Sequence, residues 1–322
     1  THMGCPHQCS FCNQKTISGS VKTLSPEDVT KTLQEAVTHG NNPQDTEIAF
    51  FGGSFTAIER GYMVSLLEAT KPSMKRGCFK GIRISTRPDA IDKEVLSILK
   101  SYGVTSIELG AQSTDEDVLR LNHRGHSRND IFKASQMIKV NGFSLGLQMM
   151  TGLLGDTDEK SLKTCEDIIS LKPDTVRIYP TIVLEGTYLA QLYKKGEYIP
   201  QRLDDAVSLC ARLLKRFNDE NITVIRLGLH SGGNVEEGYV AGPYHDAFGE
   251  LCESKIYLSL AEENLKGREK GEKIIYVNPR EISKMTGQKK MNKNQLLSQG
   301  YQIDVKGKEG LKKYEIEIQD IS

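Results

Sequence analysis

Between residues 24 and 180 the sequence alternates apolar runs of β type with amphipathic stretches of helical period, and this limits the fold more than any other feature. Repeated βα units of that kind build a parallel sheet with helices packed on it. The strand runs fall at residues 47–51, 81–86, 106–110, 143–149 and 175–179. Helix starts are legible between them. Ser25-Pro26-Glu27-Asp28 joins an N-cap to a first-turn proline, Arg87-Pro88-Asp89 repeats the device, and Thr157-Asp158-Glu159 opens a helix running to about Leu171. With 322 residues, 38% of them hydrophobic, the chain has room for one large α/β barrel or two medium domains.

In such barrels ligands sit where the βα loops converge, at the C-terminal ends of the strands. The unusual residues of this sequence lie there. Gly52-Gly53-Ser54 follows the first run, and paired glycines either bring backbone close to a ligand or make a tight turn. Ser85-Thr86 ends the second run as ligand contacts or as caps for the next helix. Gln112 follows the third, as a ligand-binding or a turn-capping amide. Arg124, in Asn122-His123-Arg124-Gly125-His126, offers a planar fork suited to a carboxylate, against a surface ion pair as the alternative. Gln148 is a polar amide near the end of an apolar strand, so it should point inward and bond a ligand or a neighbour. Arg177 and Tyr179 alternate with apolar neighbours and either enter the lumen or serve structure.

Ahead of these units stands Gly4-Cys5-Pro6-His7-Gln8-Cys9-Ser10-Phe11-Cys12-Asn13, with cysteines spaced Cys-x3-Cys-x2-Cys. Three thiolates with no fourth nearby suit a [4Fe-4S] cluster that leaves one iron open to a non-protein ligand. Zinc is the alternative, but a structural zinc site needs four ligands and His7 has little room to join. A chance group of thiols is the third reading. Cys78, Cys165, Cys210 and Cys252 are scattered singly and read as buried structural thiols.

The 42 basic and 42 acidic residues cancel, so a nucleic-acid partner must be met by a local patch. No apolar run approaches a membrane span and no leader precedes Cys5, which gives the expectation of a cytoplasmic protein without membrane contact. Thr1-His2-Met3 reads either as a cloning remnant or as native sequence lacking its upstream residues.

Beyond the βα units, residues 203–219 read as an amphipathic helix and 222–227 as a strand leading into a glycine-rich loop with His230. Residues 240–248 form a second loop with Tyr244 and His245. These three residues are candidates for catalysis or proton handling, because histidine titrates near neutrality and tyrosine carries a hydroxyl. From Lys255 a helix and strands at 273–277, 301–305 and 314–318 suggest a small α+β extension. Lys284, Lys289, Lys290 and Lys293 lie on a short basic segment there, either as RNA phosphate contacts or as a solvated face. From Glu253 onward 14 basic residues face 11 acidic ones, an excess of only three.

The cysteine spacing, with Phe11 before its last member, resembles the signature of the radical SAM superfamily. That resemblance implies a partial (β/α)6 TIM barrel over residues 1–230 and a C-terminal extension closing it over residues 231–322. It implies a [4Fe-4S] cluster on Cys5, Cys9 and Cys12, with S-adenosylmethionine on the open iron. The cofactor would be contacted by Phe11, Gly52, Gly53, Ser54, Ser85, Gln112, Arg124 and Gln148. Ser54 stands where the family more often has glutamate, and Gln148 where it often has aspartate or histidine. The implied chemistry is reductive cleavage to a 5'-deoxyadenosyl radical that abstracts hydrogen, fed by an electron donor such as flavodoxin or ferredoxin. A first barrel strand is expected before Cys5 and is not detectable in the sequence.

Gly52-Gly53-Ser54-Phe55-Thr56, Thr86-Arg87-Pro88-Asp89, Glu108-Leu109-Gly110-Ala111-Gln112-Ser113, Asn122-His123-Arg124-Gly125-His126 and Ile178-Tyr179-Pro180-Thr181 together are similar to the radical SAM domain of the Elongator catalytic subunit and its bacterial relatives. This implies a tRNA or RNA substrate. An acetyltransferase half is not expected in the 68 residues after Ser254, which leaves the use of acetyl-CoA open. A small-molecule enzyme like anaerobic coproporphyrinogen oxidase is the alternative, and a catalytically silent binding protein the third.

Overall fold

The computed structural model describes residue 5 and residues 8–13, 23–39, 45–229 and 233–321. Its strands begin with β1 (Glu47–Phe50), β2 (Gly81–Thr86), β3 (Val104–Gln112), β4 (Ser144–Thr151), β5 (Thr175–Pro180), the two-residue β6 (Val183–Leu184) and β7 (Thr223–Leu227). Six of them form one sheet in the order β1-β2-β3-β4-β5-β7, parallel throughout. The sheet is an open partial barrel of α/β type, as expected. Its sixth strand is β7, however, and not one ahead of Cys5; any strand before the cysteines falls outside the described residues.

The caps explain most helix starts. Ser25 Oγ accepts from the Asp28 amide while Asp28 Oδ2 accepts from the Ser25 amide, and Pro26 begins the helix Pro26–His39. Thr157 caps Asp158–Ser170 as read. Arg87-Pro88-Asp89 makes only a single 3-10 turn, because Asp92 is the residue whose carboxylate caps the next helix, Lys93–Ser101, by accepting from Val95 N at 2.7 Å. Arg87 is thereby left free to turn its side chain inward, where it is 3% exposed.

Leu66, Leu67, Ile82, Ile84 and Ile107 are fully buried between sheet and helices, and each such side chain contributes roughly 1.5–3 kcal/mol. A separate apolar cluster joins Cys9 and Phe11 to Val118, Leu153, Leu189 and Tyr198, so the cysteine loop has its own small core. Cys165, Cys210 and Cys252 are buried and Cys78 half-buried; burial pushes the Cys165 and Cys210 thiols up to about 12.

Strand β8 (Tyr239–Ala241) pairs antiparallel with β6. The helix Phe248–Leu265 packs on Leu203–Asp219 and carries a small sheet of β9 (Gly271–Val277), β10 (Tyr301–Gly307) and β11 (Glu317–Asp320). Strand β10 is parallel to β9 and β11 antiparallel to it. The last strand starts later than the sequence suggests because Tyr314 adopts a left-handed φ of 62° and gives its amide to Tyr257 Oη at 2.9 Å. Ile275, Val277 and Met285 of the extension belong to the same continuous core as the barrel. Among the described residues no helix is long and apolar enough to cross a membrane.

Candidate active site

A cavity of about 500 Å³ opens at the C-terminal ends of the parallel strands. Cys5, Phe11, Cys12, Gly52, Gly53, Ser54, Ser85, Gln112, Arg124 and Gln148 all line it, so residues spread over more than 140 positions of sequence meet at one mouth. Cys9 is buried behind it, 8% exposed. His230 lies outside the described residues. Tyr244 and His245 do not line the cavity. The Tyr244 hydroxyl faces Asp246 at 3.1 Å and Glu236 at 3.2 Å, and its phenol is pushed up to about 12 by desolvation and by those carboxylates. His245 Nδ1 accepts from the Ala247 amide at 3.0 Å.

The backbone around the mouth is shaped for close approach. Gly52 and Gly53 have φ of 88° and 125°, a region costly for other residues. Gln112 holds φ of 67° at a register shift between Gly110 and Gln112, where β3 departs from regular pairing with β4. Strain of this sort persists only where the surroundings enforce it. Gly110 leaves room beside it, since a Cβ there would stand 3.1 Å from Gln112 Nε2 and 3.5 Å from Arg124 Nη2 and press on the Gln112 amide.

Arg124 is 6% exposed. Its Nη1 donates to Cys9 Sγ at 3.1 Å and its Nη2 to Gly110 O at 2.5 Å, while Phe11 lies under the guanidinium at 6.0 Å. Arg87 forks onto Asp89 at 2.9 and 3.0 Å and also donates to Arg124 O. Arg124 Nε, Arg87 Nη1 and Gln112 Oε1 remain buried and unpartnered. Such atoms are rare in folded proteins and call for a ligand or water. Burial and the neighbouring Cys9 push the Cys5 thiol up, while Arg124, Arg87 and the Ser54 amide pull the other way.

Ser54 is 1% exposed, and its hydroxyl is committed to structure: it meets Thr86 Oγ1 at 2.9 Å and accepts from the Arg87 amide at 3.0 Å. Thr86 in turn bonds Thr56 Oγ1 at 2.6 Å. These hydroxyls latch the glycine turn onto the end of β2. Ser85 instead accepts from Gln148 Nε2 at 3.3 Å.

Deeper in the lumen lies a group that the sequence quoted but did not assign. Glu108 is fully buried, with Arg177 donating to both its oxygens at 2.7 and 3.0 Å, Gln148 at 2.9 Å and Arg83 at 3.3 Å. Arg83 continues to Glu47 at 2.7 Å. Gly146, paired with Glu108 in register, makes the room, since a Cβ there would lie 2.7 Å from Glu108 Cγ. The available signal was one charge in each of several otherwise apolar runs: Arg83, Glu108 and Arg177.

On the extension, Lys284 is tied to Glu253 at 2.7 Å and to Glu281 at 3.1 Å. Lys289 and Lys290 are exposed on a turn with left-handed φ, and Lys293 follows, half-buried, on the helix Met291–Ser298. The structure thus separates Lys284 from the other three.

Comparison with known proteins settles the family. A model of the radical SAM superfamily matches residues 1–168, and one of the radical SAM C-terminal domain matches residues 173–257. The chain belongs to the radical SAM superfamily. A tRNA uridine(34) acetyltransferase of Methanocaldococcus infernus is 30% identical over 246 residues, covering 64% of this chain and 46% of the relative. Human Elongator complex protein 3 is 33% identical over 196 residues, covering 54% and 36%. The solved structure of the archaeal Methanocaldococcus infernus Elp3 with its N-terminus deleted superposes with a TM-score of 0.63 at 25% identity, covering 75% of this chain and 60% of that one. The chain thus spans less than half the length of these two curated relatives.

A [4Fe-4S] cluster and S-adenosylmethionine are the cofactors of this radical SAM protein. The mouth fits both: Cys5 and Cys12 on its wall with Cys9 behind, two glycines at positive φ, and the polar side chains of Arg87, Gln112 and Arg124 lining it. Among the described residues no three Cys, His, Asp or Glu side chains converge on a single ion; a cluster instead spreads its thiolates over separate irons.

Proposed function

We propose that this chain generates a radical for the modification of RNA. Cys5, Cys9 and Cys12 hold the cluster, and S-adenosylmethionine occupies the mouth beside it. The observation that carries this reading is the meeting of Arg124, Arg87 and Gln112 with Cys5 and Cys12 of the cysteine loop on the wall of one cavity. Bound there, the two groups supply reductive cleavage to methionine and a 5'-deoxyadenosyl radical able to abstract hydrogen, with an electron from a donor of flavodoxin or ferredoxin kind.

The protein's own residues bind, orient and exclude water. Arg124 presents the buried cation that a carboxylate needs, with Arg87, itself forked onto Asp89, behind it, and Gln112 presents an amide. Gly52 and Gly53 offer bare backbone, while Phe11 closes the loop side. Ile182, Leu184, Leu229 and Val235 form an apolar rim, and a drier site strengthens every polar contact within it. Support for an RNA substrate comes from the relatives, whose names specify tRNA uridine at position 34. Lys289, Lys290 and Lys293 are the phosphate contacts in this reading. A small-molecule substrate is the second reading, favoured by the commitment of Lys284 to two carboxylates.

Anaerobic reconstitution with iron and sulfide, followed by dithionite and S-adenosylmethionine, tests the chemistry. The wild type should release 5'-deoxyadenosine and the Cys5→Ala variant none; equal yields would end the reading. Retention of tRNA that falls steeply with salt identifies the RNA class, whereas salt-insensitive behaviour without retention identifies a small molecule.

A further inference from the structure

Asn122 sits at the end of the helix Glu116–Leu121, fully buried, two residues before Arg124. Every hydrogen-bonding group of its side chain is used. Oδ1 accepts from Ser10 Oγ at 2.6 Å and from the Leu154 amide at 3.3 Å. Nδ2 donates to Val118 O at 2.8 Å and Leu154 O at 2.9 Å. Its carbonyl also accepts from the Ser10 amide at 3.1 Å.

Ser10 lies between Cys9 and Cys12 and is itself fully buried. Its carbonyl accepts from the Leu189 amide at 2.8 Å, and the Cys12 amide closes a turn onto Cys9 O at 3.1 Å. Among the described residues of the turn, Ser10 is the one whose hydroxyl and amide both reach Asn122, and Asn13 adds a bond to Glu185 O at 3.0 Å. The same short segment that carries Asn122 sends Arg124 to Cys9 Sγ at 3.1 Å. Small shifts of Asn122 would move the turn against that guanidinium.

We infer that Asn122 is the positioning residue of the cysteine loop, holding the Cys9–Cys12 turn in register with Arg124 by clamping Ser10. The inference rests on the placement of the cluster on Cys5, Cys9 and Cys12. Groups that orient metal ligands from behind typically change metal retention by about 10-fold to 100-fold when removed.

The test uses Asn122→Ala, Ser10→Ala and the double variant in two measurements. In the cluster-free protein, hydrogen exchange of the 8–13 segment should quicken in both single variants, while exchange in β9 and β10 stays at the wild-type rate. In reconstituted protein, loss of iron to a chelator should speed up about 10-fold in Asn122→Ala, with altered g values in the reduced-cluster EPR spectrum. The double variant should be no worse than Asn122→Ala alone, because one clamp is removed either way. Additive effects, or an unchanged exchange rate at 8–13, would overturn the inference. Should Asn122→Ala fail to fold, Ser10→Ala gives the same readouts with the other Asn122 bonds intact. A wild type that takes no cluster would sink the cluster placement alone, since the exchange measurement tests the clamp without it.

Discussion

Two groups of polar side chains meet in this barrel, sharing one cavity wall through Gln148 and Arg177, and they differ in how fully they are paired. In the lumen, Glu47, Arg83, Glu108, Arg177 and Gln148 pair with one another. At the mouth, Arg124, Arg87 and Gln112 each keep a buried atom without a partner. Folding cannot use an unpartnered buried group, which costs about 1–3 kcal/mol. The lumen group thus spends its bonds within the protein, while the mouth keeps polar side chains with bonds to spare beside the cavity.

The largest expected effect lies in the lumen. Glu108→Ala strands Arg177 while Arg83 keeps Glu47, and it should cost about 3–5 kcal/mol in urea unfolding; a loss under 1 kcal/mol would show that the ladder is not structural. At the mouth the balance reverses. Gln112→Leu keeps shape and removes an unsatisfied acceptor, so apo stability should hold or rise slightly, while affinity for S-adenosylmethionine falls about 10-fold by calorimetry.

His126 adds a pH dependence to this contrast. It is 6% exposed, with Nε2 3.3 Å from Ala111 O and Nδ1 unpartnered. Burial, with help from Arg124 and Arg87, lowers its pKa from 6.5 to about 3. The unfolded state therefore takes up the proton first on acidification. Stability from neutral His126 is complete above pH 6.5 and is lost as pH falls toward 3. Between pH 6.5 and 5 the wild type should lose about 1.6 kcal/mol more than His126→Gln. Equal slopes in urea titrations at the two pH values would contradict that burial effect. The smallest effect concerns the extension: Lys289→Ala with Lys290→Ala should lower the salt slope of tRNA binding by about 2, with the fold unchanged.

Much of the mouth was legible in the sequence because its signals are chemical. Three cysteines in close spacing, a glycine pair after a strand run and an arginine near a strand end each carry meaning before folding. The lumen was legible only in part: Arg177 and Gln148 read as inward-pointing, but their partner Glu108, and Arg83 beside it, acquire their roles only when β2, β3, β4 and β5 are brought side by side. Asn122 was hidden for the same reason: its partner Ser10 is 112 residues away. The sixth strand was misjudged because the five runs were completed by one expected ahead of Cys5, whereas pairing with β5 makes 222–227, inside the 1–230 span, the sixth.

The most direct test of the contrast is titration of S-adenosylmethionine into cluster-loaded protein, comparing Arg124→Ala with Glu108→Gln. Arg124→Ala should weaken binding about 10-fold to 100-fold, as expected for losing a charge-assisted contact, with a melting temperature lowered less than in Glu108→Gln because the bonds lost with it go to Gly110 O and Cys9 Sγ alone. Glu108→Gln should lower the melting temperature and leave affinity within about twofold, a change under 0.5 kcal/mol. The same loss of affinity in both variants would contradict the division between a saturated lumen and a mouth made for its ligand.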